Sequence, residues 1–306
     1  MKMKQFRSLL VGALIFVLAG CGTTNTVPLT GRKQNLLVSD EQVLSLSNQQ
    51  YAEYMATAKT STDEAKTAMV KRVGERIANA VVSYLNQTGQ ASDVVNYKWE
   101  VNLVQDNSAN AFCMPGGKIV VYDGILPLTQ TEDALAVVMG HEVAHAVAKH
   151  SAEKLSKQMK AQYGAQALSI LLSGQSSTLQ QIGQAAFGFG ANSVLRGYSR
   201  SNESEADYMG LIFAAMAGYN PEAAVTFWQR MAQSSTSNTP AFFSDHPSDE
   251  TRIANIQKWL PEAQKYYKPV QTSVTTTQAA ATSTKKTTTS KKTTTKKTTK
   301  TTKKKK

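Results

Sequence analysis

The chain has 306 residues, 41% of them hydrophobic, with two cysteines and a formal net charge of +12. That length can bury a sizeable core as one domain, and two cysteines exclude a disulfide-dense scaffold. The charge does not mark a nucleic-acid binder. Eleven lysines lie between Lys285 and Lys306 and three positive residues in the first seven, which leaves a body of 20 basic against 22 acidic residues, about −2.

Residues 1–20 read as a signal peptide. Lys2, Lys4 and Arg7 precede the apolar run Leu9 to Leu18, which is too short and wrongly flanked to span a bilayer. The ending L-A-G-C resembles a bacterial lipobox, which implies cleavage before Cys21 and lipid on its sulfur; a plain signal with an incidental cysteine is the alternative. No aspartate follows Cys21, so the expected location is the bacterial cell envelope, lipid-anchored on the periplasmic face of the outer membrane. With Cys21 lipidated, Cys113 has no intrachain disulfide partner.

Downstream, S-D-E-Q from Ser39 predicts a capped helix, and Ala65 to Leu85 predicts another. Alternation predicts a strand over Asn96 to Val104. The turn Pro115-Gly116-Gly117 leads into a β-branched strand, Lys118 to Tyr122. Thr131 to Val147 is a strongly apolar helix, with Thr129 and Glu132 as its expected capping box and Glu132 and Asp133 favourable in its first turn.

Into this apolar helix intrude His141, Glu142 and His145, as H-E-V-A-H. Imidazoles four residues apart are offset by about 40° on a helix, so both can grip one metal ion, with the glutamate beside it. One zinc ion per chain would activate a water and leave Glu142 as general base, the chemistry of peptide hydrolysis. Buried polar groups need partners, and a metal supplies one economically.

Two histidines need a third protein ligand. His150 stands about 180° from His141 on a continuous helix, which predicts that it faces away and serves as a polar contact. Ala167 to Asn192 is broken by Gly and Ser, so it is not a membrane span; core packing and a lid over the cleft are its two readings. In Y-S-R-S-N-E-S-E-A-D-Y-M-G, Glu203 and Asp207 share a helical face. Glu203 would ligate the metal, and Asp207 would reach a histidine ring nitrogen. A solvated acidic face is the competing reading, and it suits Glu205 best. Asn220-Pro221 predicts a further helix start. His246 opens a loop, either as a helix-start residue or as a group for the oxyanion or the metal, and Arg252 would hold a substrate carbonyl or an acidic partner. Beyond Thr284 the chain is Lys, Thr and one Ser, a composition that predicts disorder. It offers no aromatic residues for base stacking, so no nucleic acid is expected; anionic lipid or an envelope polymer is the candidate partner.

H-E-x-x-H followed at this distance by E-x-E-A-D-x-x-G resembles the HtpX/BepA/LoiP-type zinc metalloendopeptidases, gluzincin-type relatives of the CAAX prenyl endopeptidase. V-P-L-T-G-R-K-Q (Val27 to Gln34), N-A-F-C-M-P-G-G-K-I-V-V-Y-D-G-I-L (Asn110 to Leu126) and H-P-S-D-E-T-R-I (His246 to Ile253) are similar to further stretches of that family, in the same order. The resemblance implies His141, His145 and Glu203 as zinc ligands, Glu142 as catalytic base, and His246 and Arg252 as active-site groups. It also implies that Asn110, Ala111, Phe112 and Pro115 offer a sheet edge to an extended substrate, although an ordinary hairpin accounts for those residues equally well.

The expected architecture is α+β, mainly helical, a single zincin-like metallopeptidase domain with a small β-sheet beside the active-site helix. Its expected bounds are 39–268, after a lipidated segment 21–38 and before a disordered Thr/Lys-rich tail 269–306. The expected function is zinc-dependent cleavage of unfolded or misassembled cell-envelope proteins. The rivals are an envelope chaperone or assembly lipoprotein with a latched or structural metal site, and an amidase acting on cell-wall peptide.

Overall fold

The computed structural model describes residues 23–163, 197–234 and 251–269. Strands β1 (Thr23–Thr26) and β2 (Lys33–Leu36) form an antiparallel hairpin. Helix α1 (Asp40–Thr57) starts at the expected Ser39 cap, where Ser39 and Gln42 bond each other's backbone N–H reciprocally. Helix α2 (Glu64–Gln87) is capped by Asp63 and buries Val70, Val73, Ile77, Val81 and Leu85, a stripe at helical spacing.

Strands β3 (Glu100–Val104), β4 (Ala111–Met114) and β5 (Lys118–Tyr122) form a sheet in the order β3-β5-β4. The β3–β5 pair is parallel and the β4–β5 pair antiparallel. The first strand is shorter than its alternation suggested, because Asn96 and Tyr97 donate to Asp93 and Val94 in a turn. Alternate side chains go to opposite faces. Leu103, Ala111, Cys113, Ile119 and Val121 join the core built on α2, while Val104, Met114 and Val120 meet Val43, Tyr51, Leu155 and Met159. The outer edge of β3 is closed at its end by residues 59–61, where Ser61 donates to Leu103 and Gln105 donates to Lys59. Strand β4 forms the other edge.

Helix α3 (Glu132–Val147) is buried from Ala134 to its end. Its cap is Thr131 rather than Thr129. Thr129 belongs to a short helical turn that Gln130 terminates in the left-handed region, so the new helix can start only after it. Helix α4 (His150–Tyr163) follows at once, but α3 and α4 are not continuous: Lys149 has φ 52°. That conformation costs about 1 kcal/mol for a residue with a Cβ. The Lys149 ammonium, 2.7 Å from Asp40, helps to hold it.

Helices α5 (Arg200–Met216), α6 (Ala223–Ser234) and α7 (Arg252–Gln264) complete the described residues. α6 begins two residues after the expected Pro221, through a turn in which Asn220 and Pro221 accept from Ala223 and Ala224. The most extensive helix pairing is α3 on α5. They meet at Gly140 and Gly210, where a Cβ on either would come within 2.6 Å of the other helix's backbone. The mainly helical α+β arrangement with a small sheet beside α3 is the one expected from the sequence.

Candidate metal centre

The close crossing of α3 and α5 brings residues far apart in sequence into one buried cluster. His141 and His145 lie one turn apart on α3, and Glu203 faces them from α5; all three are at most 3% exposed. The two Nε2 atoms are 3.1 Å apart. Glu203 Oε2 lies 3.4 Å from His141 Nε2, and its Oε1 lies 3.5 Å from His145 Nε2. These three are the one group of candidate metal ligands among the described residues.

The donor set fits zinc. Ligand atoms about 2.1 Å from a tetrahedral ion lie about 3.4 Å from one another, which is the spacing found. The chemistry fits as well, since two imidazole nitrogens and a carboxylate converge in a buried cluster, an arrangement that a cation satisfies. His141 donates from Nδ1 to Asp207 at 2.9 Å, which leaves its Nε2 lone pair directed at the cluster. Burial opposes charge on His141, but Asp207 and Glu203 outweigh it and hold its pKa above the ordinary value.

Arg252 comes from the start of α7. It donates to Asp207 at 2.6 and 2.8 Å and to Glu203 at 3.2 Å, and it lies 3.7 Å over the Trp228 ring. Of the two roles expected for it, the structure shows the acidic partner: it is buried against the carboxylates. Burial alone would raise the Asp207 pKa, yet Arg252 and His141 hold it below the ordinary value.

Glu142 is 3% exposed on the same turn of α3. Its charge reaches Cys113 and Tyr198, adding to burial in pushing both groups up. Tyr198 stacks on the His145 ring at 4.0 Å and meets the Ser151 hydroxyl at 2.9 Å.

Two sequence expectations are corrected here. His150 does not face away: the break at Lys149 turns it back, and its Nδ1 lies 2.9 Å from His145 Nδ1. Glu205 is not on a solvated face; it is 9% exposed and bonded to His150 Nε2, Thr30 and Arg32. Burial lowers the His150 pKa. Glu205 is held down at about 2, because its bonds to His150, Arg32 and Thr30 outweigh burial. The hairpin, expected as part of a lipidated segment 21–38, therefore packs on the site, with Val27 in the core. Arg32, Tyr198 and Trp228 were not singled out in the sequence. Arg32 did stand inside a matching stretch, and Tyr198 opens the segment that carries Glu203 and Asp207.

Of the expected substrate residues, Ala111 and Phe112 lie on β4, Asn110 precedes it and Pro115 follows it. The Asn110 carbonyl accepts from Tyr122, and the Pro115 carbonyl accepts from Ser47 at 2.8 Å. Phe112 packs edge-on against Tyr54 and Tyr122. Cys21, residues 167–192, His246 and the basic tail lie outside the described residues.

The family model described as peptidase family M48 matches residues 64–260, well over half of the chain. The chain belongs to peptidase family M48. The M48 match spans α2 through most of α7 and so contains every residue of the cluster. The mitochondrial metalloendopeptidase OMA1 of Schizosaccharomyces pombe is 41% identical over 175 residues, covering 56% of this chain and 50% of that protein. The human mitochondrial metalloendopeptidase OMA1 is 29% identical over 281 residues, covering 86% of this chain and 51% of that protein. A putative beta-barrel assembly-enhancing protease of Vibrio cholerae is 32% identical over 177 residues, covering 55% of this chain and 35% of that protein. The chain spans about half the length of the OMA1 relatives.

These relatives correct the expected location. M48 proteins of yeasts, a plant and mammals that match this chain are mitochondrial by name, so a bacterial-envelope lipoprotein location is withdrawn. A basic, apolar N-terminus ending in four lipobox-like residues is too short a signal to fix a compartment.

Proposed function

We propose that this M48 protein is a zinc-dependent endopeptidase that cleaves unfolded or misassembled polypeptides. The observation that carries the reading is the convergence of His141 Nε2, His145 Nε2 and Glu203 at zinc-ligand spacing, with Glu142 on the same buried turn. Zinc held by these three would supply a Lewis acid that acidifies water and polarises a peptide carbonyl. Glu142 takes the proton of the attacking water and returns it to the leaving amine. Asp207 keeps His141 in the ligating tautomer, and Arg252 holds Asp207 and Glu203 in place. The β4 edge, from Asn110 to Pro115, aligns an extended substrate through backbone hydrogen bonds, which suits a broad range of unfolded sequences. His246 assists at the oxyanion or closes the resting site. The Vibrio cholerae relative, a putative beta-barrel assembly-enhancing protease by name, supports the protease reading and a place near the HtpX/BepA/LoiP-type members. The proposed catalytic domain takes the expected 39–268 together with the N-terminal hairpin, whose Val27 lies in the core, and the Lys/Thr-rich segment lies beyond it.

The test is cleavage of unfolded casein by the full chain, with metal content measured alongside Glu142→Gln and His246→Ala. Removing the base costs at least about 100-fold in rate. Cleavage lost in Glu142→Gln with zinc still bound supports the reading, and a wild-type protein that binds no zinc overturns it. A rate that falls in His246→Ala assigns oxyanion assistance, and a rate that rises assigns a latch.

A further inference from the structure

The two histidines of the cluster are oriented by separate devices. His141 is fixed by Asp207, while His145 Nδ1 faces His150 Nδ1 at 2.9 Å. The hydrogens along that line can be assigned from the carboxylate end. Glu205, ionised, only accepts. It accepts from Thr30 Oγ1 at 2.6 Å, from Arg32 Nε at 3.0 and 2.9 Å, and from His150 Nε2 at 2.9 Å. His150 therefore carries its hydrogen on Nε2, and in the neutral ring Nδ1 is the acceptor. His145 must then donate from Nδ1, which leaves its Nε2 lone pair pointing at Glu203 and His141.

We propose that His150 and Glu205 are positioning residues that lock His145 in the metal-ligating tautomer, with Arg32 and Thr30 of the N-terminal hairpin clamping Glu205. The proposal rests on the metal-site reading above. The Arg32 fork spans two buried carboxylates, Glu205 and Glu153, and donates to Glu153 at 3.1 and 2.8 Å. Gln34 ties the same hairpin to Glu153 and to the Ala148 carbonyl at the end of α3, both at 2.8 Å. The left-handed Lys149 provides the reversal that sets His150 against His145. The hairpin thus belongs to the assembly of the site, although it lies more than 100 residues upstream of the histidines.

The test compares full-length wild type with His150→Phe and Glu205→Gln. Zinc affinity is measured by competition with a chromophoric chelator, and the ligand-field bands of the cobalt(II)-loaded protein are recorded. Melting of the metal-free protein checks that each variant folds. In Glu205→Gln the amide nitrogen cannot accept, so one orientation breaks the bond from His150 and either orientation breaks a bond of the Arg32 clamp, without changing side-chain size. Loss of an outer partner of a ligating histidine weakens metal binding by about 10- to 100-fold, so that loss is expected in both variants, with altered cobalt bands. If His150→Phe does not fold, Glu205→Gln alone decides. A wild type that binds zinc, with variants within about twofold in affinity and unchanged cobalt bands, overturns the tautomer lock and leaves the metal site standing. A wild type that binds no zinc removes the metal site itself, and this inference with it.

Discussion

Arg252 is 5% exposed, and its guanidinium is the cation that faces Asp207 and Glu203. A buried ion pair broken on one side leaves an uncompensated charge, which costs about 3–5 kcal/mol. Arg252→Ala is therefore expected to destabilise the metal-free protein by that amount in urea denaturation, and by less when zinc shares the Glu203 charge. A cost below 1 kcal/mol would show that the carboxylates are relieved in another way. At this scale, what the sequence revealed was local. His141, Glu142 and His145 declare themselves because one helix turn sets their geometry, and Glu203 with Asp207 follows the same spacing. His150 and Glu205 were misjudged because their environment is created by contacts over 55 residues and by a left-handed residue that no periodicity announces.

Among the elements, the α3–α5 crossing controls the site. Gly140 and Gly210 let the backbones touch, and the ligands flank the crossing on both helices. A Cβ at Gly210 would stand 2.6 Å from the His141 nitrogen, so the helices must part. Gly210→Ala is expected to cost about 1–3 kcal/mol by overpacking and to weaken zinc binding as Glu203 is drawn away from His141. Unchanged melting and zinc affinity would contradict the crossing as described. Helices α1, α2 and α3 and strand β5 were legible because capping residues and apolar periodicity act within a few positions. The cap of α3 was misplaced by two residues, since Thr129 and Thr131 are equally good caps and only the turn ending at Gln130 separates them. The glycine crossing gave no sequence signal, because a glycine next to a catalytic motif looks like any other.

For the molecule as a whole, the N-terminal hairpin ties the first described residues to the helices of the site. Its acidic anchor makes the fold sensitive to pH. Burial would raise the Glu153 pKa, but Arg32, Lys157 and Gln34 outweigh it and hold the pKa well below the ordinary 4.5. A carboxyl depressed on folding adds stability above its unfolded pKa and loses it as pH falls through the folded value. Glu153→Gln should therefore lower stability by about 2 kcal/mol at neutral pH. Its deficit relative to wild type should shrink steadily below about pH 4.5, as followed by urea denaturation across pH. A deficit independent of pH would rule out the ionised anchor. A hairpin docking across more than 100 residues of intervening chain was beyond local reading, and so was the compartment, which the N-terminal segment suggested and the relatives overturned.

Trp228 stacks beneath Arg252 and stands 6.4 Å from the His141 ring. When a divalent ion draws on Glu203, the pull of that carboxylate on the guanidinium falls, and the charge lying on the indole face shifts with it. Indole emission follows such local fields. With Trp99 and Trp259 replaced by phenylalanine, Trp228 becomes the sole tryptophan, so the chain carries an optical gauge of its own occupancy, readable without any added dye.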